Sequence, residues 1–365
     1  MNISPDLLPE GYRDRLPPQA EVAARVSRAM IDVLASYGYA RVAPAMAEFE
    51  SVLAKHSGDA NRNQHLRFTD PVSGHTLALR GDITVQVGRI ATTRMKDAPR
   101  PLRLAYHGQV LRLRAKQLRP ERELTQLGAE LVGNDSVAAA CEIVGVAIDA
   151  LEAAGVKDIT IDFTLPDLVE RLAEKALPLA ADKIDAVRSE LDMKDAGGLS
   201  ALGADAYLPL LAATGPFADA VQKLRAIDAG GALASRIRAL EAIAGNIAGR
   251  ANVTLDPTER HGFEYHSWVG VSLFGSVAGT PLRAEIGRGG AYRVRHPDGT
   301  DEQAVGVSLY VDMLVDAGLG ASQRRRIFLP EGTLSDVAAR LRAEGWATVQ
   351  ALSTMDSDEG CSHVW

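Results

Sequence analysis

Apolar residues recur at helical spacing over residues 18–39 and 136–154, which predicts a long helix in each stretch. Residues 102–114 and 124–132 alternate instead between apolar and polar side chains, the pattern of half-buried strands. The polar residues 115–123 lie between these strands and are typical of a loop. We therefore predict that the two strands pair antiparallel as a hairpin.

Other short apolar or alternating runs predict strands on both sides of a long helical region. These strands lie at residues 41–44, 75–80, 158–163, 252–256, 264–274 and 281–287. The helical region is rich in alanine and leucine and extends over residues 165–250, and residues 303–317 are predicted to form a further helix. Near the end, a strand, a helix and a strand are predicted at residues 327–329, 334–343 and 347–352.

Together these elements predict an α+β fold in which an antiparallel sheet is flanked by helices. The main domain comprises residues 1–164 and 251–322, and residues 165–250 are inserted into it as a helical unit. Residues 323–365 remain as a short C-terminal α/β appendage, which is too small to build a core of its own.

Composition narrows the classes of function. The formal net charge of -7 and the pI of about 5.7 argue against a surface built to neutralise phosphates, so nucleic acid is not the expected partner. Cys141 and Cys361 are the only cysteines, too few for a disulfide framework or a cysteine-rich zinc site. No apolar run has the length of a signal peptide or a membrane span. We expect a cytoplasmic protein without a membrane segment, metal or cofactor.

Three segments near the start carry a resemblance to a known family. Residues 11–18 (GYRDRLPP) and residues 37–50, which include Pro44, are similar to the N-terminal signature and to motif 1 of the histidyl-tRNA synthetases. Residues 65–84 resemble the hairpin and Leu-Arg-Pro-Glu-Gly-Thr element of that family, with Asp82 in place of its glutamate. With later segments in the same order, the resemblance covers roughly the first 320 residues and implies a class II synthetase fold.

The predicted hairpin resembles motif 2 of the same family and supplies most of a candidate site. Gln126 and Glu130 share one face of a strand because side chains alternate with a period of two. By resemblance, these side chains would bind histidine, and Arg112 would meet the carboxylate where a synthetase holds phosphate. The implied histidine-binding residues are Asp82, Thr84, Arg112, Gln126, Glu130 and Tyr265.

Two of these residues also have ordinary structural explanations. From spacing alone, Asp82 is an N-cap of the following helix, whereas the resemblance implies that its carboxylate meets the α-ammonium of the ligand. Tyr265 is a half-buried strand aromatic on its own pattern. Arg119 and Arg122 in the hairpin loop are interpreted as solvated charges.

The sequence departs from the family pattern at the positions whose side chains would bind ATP and stabilise its reaction. Arg114 stands where motif 2 has a glutamate, and His261 takes the position of an arginine, with Arg260 displaced by one residue. Motif 3 ends in Gly-Leu-Glu-Arg in the family, and Met313 occupies the place of its arginine. Because one missing anchor of this kind costs about a hundredfold or more in rate, we expect no adenylate formation and no catalytic residues.

The sequence around Asp82 resembles more closely the noncatalytic synthetase paralogues that regulate the short-form ATP phosphoribosyltransferase. This resemblance implies a subunit required for the first step of histidine biosynthesis, feedback inhibition by bound histidine, and a homodimer within a larger hetero-oligomer. Binding of tRNA is not expected, because only about forty residues stand where a synthetase has an anticodon-binding domain. Two alternatives remain: an active, divergent histidyl-tRNA synthetase or other amino-acid-adenylating ligase, and a scaffold whose pocket has no ligand.

Overall fold

The structure is a computed structural model. It describes residues 7–57, 65–113, 121–260, 266–319, 325–353, 356–358 and 360–365, and of residues 54–57 it describes the backbone alone. Its helices are α1 (Gln19–Ser36), α2 (Glu50–Ser57), α3 (Thr84–Thr93), α4 (Val137–Ala154), α5 (Leu168–Glu174), α6 (Ile184–Asp192), α7 (Ala196–Ala201), α8 (Phe217–Ile227), α9 (Ala234–Asn246), α10 (Val311–Asp316) and α11 (Ser335–Ala343). Short 3-10 helices lie at Ala181–Lys183 and Asp205–Ala212.

Ten strands form one large sheet. They are β1 (Ala40–Arg41), β5 (Leu102–Leu111), β6 (Glu123–Val132), β7 (Lys157–Thr164), β8 (Gly215–Pro216), β9 (Asn252–Leu255), β10 (His266–Val277), β11 (Thr280–Pro281), β12 (Gly287–Arg295) and β13 (Asp301–Tyr310). The strand order is β1-β5-β6-β13-β12-β10-β7-β9-β8, with β11 added beside β10. Neighbours are antiparallel except at β1–β5 and β7–β9, so the predicted α+β fold with a flanked antiparallel sheet is confirmed.

Two small sheets complete the fold. One consists of β2 (Ala47–Phe49), β3 (Arg67–Thr69) and β4 (Thr76–Leu79), and the other of β14 (Arg326–Leu329), β15 (Ala347–Gln350) and β16 (His363–Val364). In the second sheet β15 and β16 each pair parallel with β14, and α11 packs against it through Ala338 and Leu341. This parallel unit is the α/β arrangement expected for the last residues of the chain.

The prediction of a helix at residues 303–317 was wrong for most of its length. Residues up to Tyr310 belong to β13, and only α10 is helical. The last seven residues of β13 are all buried: Val305, Val307 and Leu309 face the large core, whereas Ala304 and Ser308 pack on the side of α3. A strand that is buried on both faces loses the alternation that distinguishes it from a helix.

Strands β5 and β6 have two faces with different surroundings. Leu127 and Leu131 point into the large core formed with α1 and α4, whereas Leu104 and Tyr106 point to the side of α3. Helices α5 to α9 follow β7 and precede β9 along the chain, within the region predicted to be a helical insertion. The two faces of the β5–β6 hairpin therefore present separate environments, and the polar residues of β6 divide between them.

Candidate functional site

Strand β6 places two polar side chains on the α3 side of the sheet. Gln126 and Glu130 are both buried there, four residues apart, as the alternation of the sequence predicts. Glu130 pairs in register with Leu104 of β5 and with Gly306 of β13. The carboxyl group therefore lies in the middle of the sheet, away from its edges.

Asp82 lies in the loop before α3 and has two partners. Its Oδ1 accepts hydrogen bonds from the Thr84 backbone amide at 2.8 Å and from Gln126 Nε2 at 2.9 Å. The Ile83 amide in turn donates to Gln126 Oε1 at 2.9 Å. The first contact resembles the N-cap role and the second ties Asp82 to β6. Oδ2 makes no hydrogen bond to the part of the chain that the structure describes, which leaves it open to a ligand cation.

Glu130 is a fully buried acid that is held by two phenols. Tyr106 donates to its Oε1 at 3.1 Å and Tyr292 donates to its Oε2 at 2.8 Å. Burial raises the pKa of Glu130 to about 8, an effect that the hydrogen bonds from the neighbouring hydroxyls only partly oppose. At neutral pH this group therefore holds a proton that it can share with a ligand base such as an imidazole.

Hydroxyl groups link Glu130 to the loop of Asp82. Ser308 Oγ lies 2.8 Å from the Tyr106 hydroxyl and accepts from Gln126 Nε2 at 2.8 Å. Thr84 Oγ1 lies 3.0 Å from the same Tyr106 oxygen. Since the polar atoms of Gln126 are engaged with Ile83, Asp82 and Ser308, its visible role is to position Asp82.

Two glycines make the space for this cluster. A Cβ at Gly306 would lie 1.6 Å from Glu130 Oε2, and a Cβ at Gly128 would lie 2.3 Å from the Tyr106 hydroxyl oxygen. Real Cβ atoms do not approach neighbours so closely, so any side chain at either position would displace the acid or the phenol. The geometry of the cluster thus depends on the absence of side chains on two neighbouring strands.

Arg112 follows β5 directly and is half-buried. Its backbone amide donates to the Arg122 carbonyl at 2.7 Å, at the point where the hairpin loop begins. Its Nη1 is buried and has no hydrogen-bond partner among the residues described. A buried guanidinium nitrogen without a partner carries a desolvation cost that an anionic ligand would relieve.

A small cavity of about 10 Å³, with room for about one water molecule, lies beside Glu130. Thr84, Tyr292 and Ser308 line it together with His266 of β10 and Arg288 of β12. The Arg288 guanidinium is bonded to Glu285, which also accepts from Ser272. Because this space holds only about one water molecule, binding of an amino acid requires the lining side chains to move apart.

The structure thus brings together Asp82, Thr84, Gln126 and Glu130, whereas Arg112 lies at the loop end of the hairpin and is not among the residues that line the cavity. Tyr265, the remaining predicted site residue, lies outside the described residues. Sequence reasoning missed Tyr106, which donates to Glu130, and the lining residues Tyr292, Ser308, His266 and Arg288. Of these residues, only Tyr106 could have been found from the sequence. The pairing of the two hairpin strands places it opposite Gly128, on the same face as Gln126 and Glu130.

The structure describes one of the three positions at which the residues for ATP chemistry are expected to be missing, namely Met313. Met313 lies on α10 and packs against the large core. Its neighbour Asp312 accepts hydrogen bonds from the Thr125 backbone amide and, at 2.5 Å, from Arg15 Nη2. Met313 and Asp312, which stand at the end of motif 3, are therefore both in contact with other parts of the protein. Arg114 and His261 lie outside the described residues.

The described residues contain neither a cluster of potential metal ligands nor a membrane-spanning helix. No group of three or more histidine, cysteine, aspartate or glutamate side chains could hold a metal ion in the part of the chain that the structure describes. Among those same residues, no helix combines the length and apolar character needed to cross a membrane.

Comparison with known proteins relates this chain to two groups that share a fold. The histidyl-tRNA synthetase family profile matches residues 11–314. A crystal structure described as an ATP phosphoribosyltransferase regulatory subunit/histidyl-tRNA synthetase from Bacillus halodurans has a TM-score of 0.82 at 24% identity, covering 100% of this chain and 98% of that one. Histidyl-tRNA synthetase from Nostoc sp. PCC 7120 has a TM-score of 0.78 at 16% identity, covering 98% and 88%. Both show the class II synthetase fold.

Curated relatives are more similar in sequence. The ATP phosphoribosyltransferase regulatory subunit of Rhodospirillum centenum is 41% identical, over 100% of this chain and 96% of that protein. The protein of the same name from Paramagnetospirillum magneticum is 39% identical, over 98% of this chain and 95% of its own length. The chain therefore belongs to the family of ATP phosphoribosyltransferase regulatory subunits, which are built on the histidyl-tRNA synthetase fold.

Proposed function

We propose that this chain is the noncatalytic regulatory subunit of a short-form ATP phosphoribosyltransferase and that it binds histidine as a feedback inhibitor. The names of its full-length relatives support the role in the complex. The histidine site is supported by one observation above all, the buried Glu130 carboxyl held by Tyr106 and Tyr292 at the wall of a small cavity.

Histidine offers three groups that match this site. Its imidazole would share a proton with Glu130, and its α-ammonium would meet the free Oδ2 of Asp82. Its carboxylate would satisfy the unpartnered Nη1 of Arg112. Thr84, Gln126 and Tyr265 complete the proposed binding set, with Gln126 holding Asp82 in place.

The absence of adenylation activity forms part of the proposal. Met313 supplies no positive charge where the related synthetases use an arginine, and Asp312 is engaged by Arg15 and by the backbone amide of Thr125. Stabilising the charge of a phosphoryl or adenylyl transition state requires such cations. The expected result is that no amino acid supports ATP–pyrophosphate exchange.

Regulation would operate by linkage between histidine binding and the state of the complex. A coupling free energy of about 1 to 3 kcal/mol gives a useful degree of inhibition. The chain would act as a homodimer within a larger hetero-oligomer in the cytoplasm, without tRNA. Its partner is the catalytic subunit of the short-form phosphoribosyltransferase.

The deciding experiment mixes the full-length chain with a short-form catalytic subunit and assays ATP phosphoribosyltransferase activity with and without histidine. Activation that histidine reverses supports the proposal. Glu130→Ala should keep the activation and lose the inhibition, whereas the matched variant Glu241→Ala, on the exposed side of α9, should behave as wild type. Activation that histidine leaves unchanged in the wild type would reject the feedback role, and ATP–pyrophosphate exchange would point to a ligase.

A further inference from the structure

A second and larger cavity lies on the opposite face of the hairpin. His107 of β5 and Thr125 of β6 point to this face, because each is one residue removed from the pocket-facing Tyr106 and Gln126. The first half of α1 and residues 11–15 form the other walls, and the cavity has a volume of about 660 Å³. This volume lies within the range of small-molecule sites.

Two polar side chains that line this cavity have no hydrogen-bond partner among the described residues. Ser27 on α1 is only 7% exposed, and its hydroxyl makes no hydrogen bond to the described part of the chain. His107 Nε2 is buried and is likewise unpartnered within that part. Burial lowers the pKa of His107, so the ring is neutral at pH 7 and offers one donor and one acceptor. A buried ring nitrogen such as His107 Nε2 is normally satisfied by protein, water or ligand.

Charges around the cavity favour a cation. Arg13 and Arg15 both line it, but Arg13 is bonded to Asp316, and Arg15 to Asp312 and Asp316. Three further carboxylates line the same space and form no close ion pair with the residues described, although Glu121 attracts the nearby Arg13. They are Asp14, Glu121 and Glu123. A ligand that carries phosphate or carboxylate would meet a net negative charge among the described lining residues, which include four carboxylates and two guanidinium groups.

The remaining wall is small and apolar. Ala20, Ala23 and Ala24 of α1 line the cavity and present no long side chains to it. Tyr12 closes another side, with the Arg122 guanidinium stacked on its ring at 5.0 Å from the centroid. A ligand could therefore lay a short hydrocarbon segment against α1 while its polar ends contact the hydrogen-bonding groups and the carboxylates.

We propose that this cavity binds a small organic cation, such as an amine or guanidine without a carboxylate, whose polar end reaches Ser27 and His107. The site is separate from the proposed histidine pocket, because the two lie on opposite faces of β5 and β6 and use different side chains. A ligand carboxylate would be repelled from a cavity whose described lining residues include more acids than cations.

Isothermal titration calorimetry with agmatine, an amine with a guanidinium group, tests the proposal on the full-length chain. Agmatine should bind the wild type, and Glu121→Gln/Glu123→Gln should weaken its Kd by about tenfold or more, equivalent to the loss of one good charged contact. Asp82→Asn, in the pocket on the other face, should leave that Kd within about twofold. Inorganic phosphate should not bind to the cavity. The proposal is rejected if agmatine does not bind, or if Asp82→Asn abolishes the binding.

A thiol placed inside the cavity gives a second measurement that does not depend on the chosen ligand. Ser27→Cys in a Cys141→Ala/Cys361→Ala background should react with a cationic methanethiosulfonate about tenfold faster than with an anionic one of similar size. The same background with Ser27 retained is the matched control and should not react. Equal rates for the two reagents, or an unreactive thiol in a folded variant, would contradict a cation-selective cavity.

Discussion

Tyr292 on β12 donates a hydrogen bond to Glu130 on β6 at 2.8 Å, although β13 lies between their strands. The contact crosses β13 at Gly306, which pairs with Glu130 and has no side chain to intervene. Tyr106 holds the other oxygen of the same carboxyl from β5. The acid is therefore fixed in place before any ligand arrives, which lowers the entropic cost of binding.

Because the pKa of Glu130 is raised to about 8, stability should depend on pH in a defined direction. The folded protein keeps this proton up to about pH 8, whereas the unfolded chain loses it near the ordinary glutamate pKa of about 4.3. Between these values the folded state binds more protons, so the group's contribution falls as pH rises, by up to about 1.4 kcal/mol per pH unit. Glu130→Gln cannot ionise and should lose that slope.

Urea unfolding at about pH 5.5, 6.5 and 7.5 measures the difference between wild type and Glu130→Gln. The variant should gain in free energy of unfolding relative to the wild type at each step towards higher pH. Other titrating groups are common to both proteins, so they cancel in the difference. A difference that does not change with pH would contradict a raised pKa at this position.

Gly306→Ala should disrupt the pocket, because its Cβ would lie 1.6 Å from Glu130 Oε2. Overpacking of this kind costs about 1–3 kcal/mol in the free energy of unfolding, and displacing the acid should remove histidine inhibition. Gly145→Ala is the matched control, since a Cβ there meets nothing within 4 Å and lies inside helix α4. That change should raise stability by about 0.5–1 kcal/mol. Normal inhibition in Gly306→Ala would show that Glu130 is not involved.

Arg112 should recognise the carboxylate of histidine, and comparison with histidinamide isolates this contact. In the wild type, histidine should bind about ten- to a hundredfold more tightly than histidinamide, because a hydrogen bond between charged groups contributes about 1.5–3 kcal/mol. In Arg112→Gln the two ligands should bind with similar Kd values. The exposed Arg94→Gln serves as control and should keep the wild-type ratio. An unchanged ratio in Arg112→Gln would assign the carboxylate to another residue.

Arg15 and Asp312 join the N-terminal segment to α10, and their coupling should be measurable. Both side chains are mostly buried, with 20% and 10% exposed. A double-mutant cycle with alanine should give a coupling of about 1–3 kcal/mol in urea unfolding. The exposed pair Arg28–Asp32 on α1 should give no more than about 0.5 kcal/mol. Equal couplings in the two cycles would mean that burial adds nothing to the first pair.

The sequence predicts the hairpin and its pocket face because both depend on local periodicity. Alternation from Leu127 to Leu131 fixes which side chains of β6 face the core, and Gln126 and Glu130 then lie on the other face. Tyr292 could not be found in this way. It is 162 residues away from Glu130 in sequence, and periodicity does not reveal that β13 and β12 follow β6 in the sheet.

The role of Gln126 shows a second limit of sequence reasoning. Resemblance marks it as a histidine-binding residue, yet its side chain contacts Ile83, Asp82 and Ser308 in this structure. Ser308 comes from β13, the strand whose double burial led to the wrong prediction of a helix. The position of β13 in the sheet and the hydrogen-bond partners of Gln126 therefore both depend on contacts between segments that are far apart in sequence.

The parallel pairing of β7 with β9 constrains how this chain could vary. Thr160 pairs with Asn252 and Phe163 with Leu255, so the chain leaves one end of β7 and must return to the opposite end before entering β9. A tight turn cannot make that connection, and a crossover of about a dozen residues or more is required. Descendants of this protein could shorten or replace the helices between residues 165 and 250, but they could not delete them outright and keep this edge of the sheet.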